Sequence, residues 1–122
     1  MRLLLDTHTL VWWDEGELPG AVTRRIERAE TVFVSAVSAW EIAIKSTLGK
    51  IVAKVSLEEV LEDYGFLELP VLIRHAEAVK QLPPHHRDPF DRLLVAQANI
   101  EELVLVSSDA ALKQYNAPIV WD

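Results

Sequence analysis

Hydrophobic positions along this chain fall into two patterns: short unbroken apolar runs, and longer stretches in which apolar residues recur every three or four positions. Leu3-Leu4-Leu5, Val32-Phe33-Val34 and Leu103 to Val106 belong to the first kind. Runs of bulky and β-branched residues without polar alternation read as strands of a parallel sheet. Phe66 to Leu69, ending before Pro70, and Ile119 to Trp121 add two shorter strands.

The periodic stretches lie between them. Thr7 to Trp13 predicts a helix, and Gly16 to Gly20 with Pro19 a turn. Ala21 to Ala29 predicts another helix, with Val22 and Ile26 inward and Arg24, Arg25 and Arg28 on its surface. Ser38 followed by Glu41 has the capping-box spacing, so a helix is expected to open at Ser38. Trp40, Ala43, Ile44 and Leu48 would form its buried face and Gly49 its stop. Ser56 and Glu59 repeat the spacing before a helix from Leu57 to Tyr64, with Gly65 as its cap. Ile73 to Leu82 is helical until Pro83-Pro84, and Pro89 to Glu101 forms a long helix. Ser107-Ser108-Asp109 opens a short one through Gln114. Strands alternating with helices predict an α/β fold: a three-layer α/β/α sandwich on a mostly parallel central sheet, with right-handed crossovers. Strand order is not readable from the pattern.

Composition narrows the class. A chain of 122 residues, half hydrophobic and a quarter charged, fits one globular domain over residues 1–122. The absence of cysteine excludes a disulfide framework and a thiolate zinc site. No apolar run approaches the roughly 20 residues of a membrane span, and the first strand meets a charge too early for a signal peptide. A cytoplasmic location with no membrane partner is therefore expected. The formal charge of −7 argues against simple electrostatic binding of nucleic acid. Two bound divalent cations would bring it to −3.

Candidate chemistry starts at Arg87-Asp88-Pro89-Phe90-Asp91-Arg92. Asp88 has the place of an N-cap and Pro89 of the first helical position, which leaves Asp91 redundant as a cap. Ligands of parallel sheets gather outside the carboxyl ends of the strands. Asp6 follows the first strand and Asp109 follows the Leu103–Val106 strand, while Glu41 and Asp91 are expected in the first turns of helices. All four carboxylates can then face one sheet edge. Each has a structural reading as well: Glu41 as a capping-box residue paired with Lys45, and Asp109 as an ordinary helix start. Asp6 is the hardest to explain so, because a charge after a buried strand is costly unless paired. Together, four like charges would raise one another's pKa values, and a hard divalent cation relieves that. Oxygen donors without cysteine favour Mg²⁺ or Mn²⁺ over zinc.

Leu4-Leu5-Asp6-Thr7-His8, Ser38-Ala39-Trp40-Glu41-Ile42, His86 to Leu94 and Ser107-Ser108-Asp109 occur in the order and spacing of the PIN-domain nucleases. The chain resembles, more closely, the VapC-type toxins of bacterial type II toxin–antitoxin systems, from Leu3 to Trp121. That resemblance implies a Mg²⁺- or Mn²⁺-dependent endoribonuclease leaving 5′-phosphate and 3′-hydroxyl ends on an RNA substrate. It implies Asp6, Glu41 and Asp91 as the core metal-binding and catalytic acids, with Asp109 as the fourth. It also implies a homodimer restrained by a cognate antitoxin whose C-terminal segment covers the acidic site. The alternative is a PIN-like fold kept as a non-catalytic interaction module.

Other signals are weaker. His85-His86-Arg87 and Arg92 can meet RNA phosphate or form a solvated loop, and Arg24, Arg25 and Arg28 can track a backbone or simply face water. Trp40 reads as core, and one of Trp12 and Trp13 as exposed or at an interface. A haloacid-dehalogenase phosphatase would need an acid where His8 stands, and a receiver domain would need an acidic pair after the first strand.

Overall fold

In the computed structural model, which describes residues 1–49, 56–84 and 88–121, β1 (Arg2–Leu5) is the centre of a five-stranded sheet. The other strands are β2 (Thr31–Ser35), β3 (Leu67–Leu69), β4 (Val104–Val106) and β5 (Ile119–Val120), in the spatial order β3-β2-β1-β4-β5. Every pairing is parallel. The sheet is thus more uniform than the mostly parallel one expected.

Alternate residues of β1 feed opposite faces, and both faces are covered. Leu3 and Leu5 join Val32, Val34 and Val106 in a core closed by Leu10, Val22, Ile26, Val60 and Leu61. These come from helices α1 (Thr7–Glu15), α2 (Gly20–Glu27) and α4 (Leu57–Tyr64). Leu4 and Leu105 point the other way, into a second core with Val37, Leu94, Val95 and Ala98 of α3 (Ala36–Thr47) and α6 (Pro89–Glu101). The result is the three-layer sandwich. Leu3, Leu4 and Leu5 are all fully buried, which is why this strand shows no polar alternation.

Helix starts follow local chemistry with one shift. Ser35, the last residue of β2, caps α3 by accepting the Val37 N–H at 3.1 Å, so strand runs into helix with no loop between. Ser38 is therefore inside the helix, and Glu41 lies in its second turn rather than the first. The expected capping box at Ser38 does not form. Its buried face is also different: Val37, Ser38 and Glu41 point inward, whereas Trp40 is 61% exposed and Leu48 63%.

Asp88 caps α6 as expected, accepting from Phe90 N–H at 2.9 Å and Asp91 N–H at 3.4 Å, with Pro89 at the first position. The helix expected over 73–82 is α5 (Ile73–Ala78) followed by a 3-10 turn, Val79–Gln81, a tightening common before a proline break. The stretch after Asp109 is likewise a 3-10 turn, Ala110–Gln114. Among the described residues, no helix is long and apolar enough to cross a membrane.

Candidate functional site

The strand order creates a switch point. From β1 the chain steps outward through β2 to β3, then returns to the other side of β1 to form β4 and β5. The crevice outside the carboxyl ends of β1 and β4 is where such sheets bind ligands. Register aligns Leu5 with both Val34 and Val106, so Asp6, Ser35 and Ser107 come level at this edge.

Asp6 is 4% exposed and is held from several sides. Its Oδ1 caps α1 by accepting the Thr9 N–H at 2.9 Å, and its own N–H bonds the Val106 carbonyl at 3.2 Å. Burial pushes the Asp6 carboxyl above its ordinary pKa, and hydrogen bonds from Ser107 and Thr9, together with His8, partly offset this. Asp6 thus combines the capping role with the costly burial that suggested chemistry.

Ser107 is buried and does more than the sequence suggested. Its side chain bonds Asp6 and its Oγ accepts the Asp109 N–H at 3.1 Å. Asp109 in turn caps the 3-10 turn through the Ala111 N–H at 2.9 Å. A serine directly after a buried strand at the binding edge is the signal that could have singled it out. Thr7 and Ser38 were also missed as partners. The Thr7 hydroxyl donates to Ser38 Oγ at 2.9 Å inside the protein and ties the start of α1 to α3.

Glu41 is 2% exposed. One oxygen, Oε2, receives Lys45 Nζ at 2.6 Å from the next turn of α3; the other, Oε1, is buried with no hydrogen-bond partner among the described residues. That i,i+4 pairing was legible in the sequence. Hydrogen bonding to Glu41 holds the Lys45 ammonium above its ordinary pKa, and Asp88 and Asp91 add to the effect. Lys45 is thus the link between Glu41 on α3 and the acids that open α6. Because α6 leads into the amino end of β4, its own first turn lies at the carboxyl edge with Asp6.

All four candidate acids therefore belong to this edge. They are not drawn into a closed cage: among the described residues, no three acidic or histidine side chains are grouped closely enough to hold a metal ion. The donor set nevertheless suits Mg²⁺ or Mn²⁺, being all oxygen and including the orphaned, buried Oε1 of Glu41.

Surrounding residues divide differently from expectation. Arg92 is committed to structure. Its guanidinium donates to the carbonyls of Pro83, Val79 and Leu82 at 3.0, 3.1 and 3.3 Å and to the Tyr115 hydroxyl at 3.2 Å. His85, His86 and Arg87 lie outside the described residues. Trp40 is a surface residue standing edge-on against Phe90 at 5.1 Å, not core. Trp12 and Trp13 are both partly buried, the former against Trp121 and the latter against Tyr64 and Phe66. Arg24, Arg25 and Arg28 line an open cavity of about 370 Å³ with Met1, at the amino edge of the sheet and away from the acids.

Comparison with known proteins supplies the lineage. A search of curated proteins finds no match. Among solved structures, the chain is similar to one in the crystal structure of VapBC2 from Rickettsia felis bound to a DNA fragment from their promoter. The TM-score is 0.73 at 16% identity, with all of both chains covered. It is also similar to a chain of a toxin–antitoxin complex from Klebsiella pneumoniae, with TM-score 0.68 at 15% identity, covering 97% of this chain and 95% of that one. At such identities the likeness is one of fold. The PIN domain family model matches residues 3–118, from β1 to the threshold of β5, and the chain belongs to the PIN domain family.

Proposed function

We propose that this protein is a Mg²⁺- or Mn²⁺-dependent endoribonuclease and the toxin of a toxin–antitoxin module. The observation that carries the reading is the placement of Asp6, Glu41, Asp91 and Asp109 at the carboxyl edge beside the β1–β4 switch point, with one buried oxygen of Glu41 unpartnered. Asp6, Glu41 and Asp91 are the residues that would hold the ion, with Asp109 as a fourth. When bound, the ion supplies an activated water and charge stabilisation at the phosphate.

The protein's own contribution is positioning. Ser107 and Thr9 orient Asp6 and favour its ionised form. The Thr7–Ser38 bond holds the helix behind Asp6 against the one that carries Glu41. Asp88 fixes the first turn of α6 and thereby the place of Asp91.

Membership of the PIN family supports nuclease chemistry. One similar structure is a toxin–antitoxin complex by its title and the other a VapBC2 assembly, which supports an antitoxin partner; on this reading the antitoxin covers the acidic site and the toxin itself pairs as a homodimer. Purified protein freed of antitoxin should cut RNA to leave 5′-phosphate and 3′-hydroxyl ends, read by ligation-based mapping of the fragments. Fragments ending in a 2′,3′-cyclic phosphate would contradict metal-assisted hydrolysis. No fragments in any metal would favour the non-catalytic interaction module.

A further inference from the structure

Glu41 and Lys45 form a pair whose two halves are unequally buried. Glu41 is 2% exposed, whereas the Lys45 side chain retains 26% of its accessible surface. The ammonium approaches from the partly open side, covers Oε2 at 2.6 Å and leaves Oε1 uncovered. It also lies within the electrostatic reach of Asp88 and Asp91. A buried carboxylate without a counter-charge is strongly unfavourable, so in the metal-free protein this lysine supplies the neutralisation that the acidic edge requires.

We propose that Lys45 is the resident counter-cation of the acidic edge and competes with the divalent ion for Glu41, so that it sets the affinity for metal. The proposal rests on the metal-dependent reading above. Two cations facing one carboxylate repel each other, and the ion must bind against the ammonium or displace it. Displacement is open to lysine because its head is a compact charge on a flexible stem that can swing to water. A fully buried lysine would have no such exit, and an arginine in its place would keep the positive charge while holding a carboxylate through a planar fork. Lys45 is a positioning residue on this account, acting through Glu41. The opposite arrangement, in which Lys45 aims Glu41 at the metal, predicts the opposite sign.

The test is Mn²⁺ binding without RNA, measured by isothermal titration calorimetry on the wild type, Lys45→Gln and Lys45→Arg. Gln can still donate to Glu41 but carries no charge. Lys45→Gln should bind Mn²⁺ about tenfold more tightly, in the range of ordinary coupling between sites. It should melt at a lower temperature without metal and gain more on adding it. Lys45→Arg should not gain affinity. Equal or weaker binding by Lys45→Gln overturns the inference alone, as does a matching gain in Lys45→Arg. Failure of every form to bind Mn²⁺ overturns the metal site and the inference with it. If Lys45→Gln does not fold, the wild type still decides: the Lys45 Nζ resonance should shift on Mg²⁺ saturation, and a resonance that stays put contradicts competition.

Discussion

The side chain of Ser107 bonds that of Asp6 across the carboxyl ends of two neighbouring strands, beside the 3.2 Å bond from Asp6 N–H to the Val106 carbonyl. One serine thereby favours the charged form of an acid that burial disfavours. Ser107→Ala should cost about 1–2 kcal/mol in denaturant unfolding, as a lost bond to a charged group. It should also move the acid limb of the pH–activity profile to higher pH. An unmoved profile would mean that Ser107 does not tune Asp6.

Burial raises the Asp6 pKa above its ordinary 3.8. The folded protein therefore holds this proton more tightly than the unfolded chain does. Stability from the protonated form is full below about 3.8 and is lost as pH rises through the folded value. Asp6→Asn keeps a capping side chain without the buried charge. It should melt higher than the wild type at neutral pH, lose that advantage in acid, and have no cleavage activity. Thermal melts across pH check the first two, and an RNA assay the third.

Asp88 and Asp91 should separate cleanly. Asp88→Asn can still accept from Phe90 and Asp91 N–H, and it should fold normally and retain cleavage. Asp88→Ala should lose about 1 kcal/mol of stability. Asp91→Asn should leave the circular dichroism spectrum and melting temperature close to wild type and abolish cleavage. Equal loss of activity in Asp88→Asn and Asp91→Asn would show that the two carboxylates share one task.

A second polar cluster, at the far end of α6 from Asp91, adds its own pH dependence to stability. His75 is fully buried; its Nδ1 accepts the Leu72 N–H at 3.0 Å, which leaves Nε2 to donate to Glu101 at 2.8 Å. Bonds from His75 and Arg74 hold Glu101 below its ordinary 4.5. The stabilisation is thus present above 4.5 and disappears as pH falls through the lower folded value. Glu101→Gln should be less stable than wild type at neutral pH, with the gap closing in acid. A gap that is constant with pH would assign the effect to packing.

Arg92→Ala should destabilise the protein by about 2–3 kcal/mol, because it releases three carbonyls that bind the loop before α6. Lysine should not rescue it, since one ammonium cannot reproduce the planar fork. Urea unfolding of both variants measures this.

These residues also show what the sequence can convey. Strands β1, β2 and β4 were legible because both faces of the sheet are covered, which forces unbroken apolar runs. The start of α6 was legible because Asp88 and Pro89 act locally. The face of α3 was misread because it reverses the usual code. It turns Ser38 and Glu41 inward, where Thr7 bonds the serine and Lys45 pairs with one of the two Glu41 oxygens, and leaves Trp40 at the surface. Hydropathy assigns burial by residue type, and functional edges are where that rule breaks. Arg92 and His75 were beyond reach for a different reason. Their partners Tyr115 and Glu101 lie 23 and 26 residues away in sequence and meet them only through the fold. Placement of the acids could be inferred from strand ends, but the switch point that makes β1 and β4 neighbours could not.

The proposed metal-dependent ribonuclease centre is the carboxyl edge around Asp6, Glu41, Asp91 and Asp109. The most direct measurement is RNA cleavage by antitoxin-free protein across a Mn²⁺ titration, with EDTA and folded Asp91→Asn as controls. Cleavage should rise with Mn²⁺, stop in EDTA and be absent in Asp91→Asn. Cleavage that persists in EDTA, or at undiminished rate in Asp91→Asn, would contradict the account, as would intact RNA at every Mn²⁺ concentration.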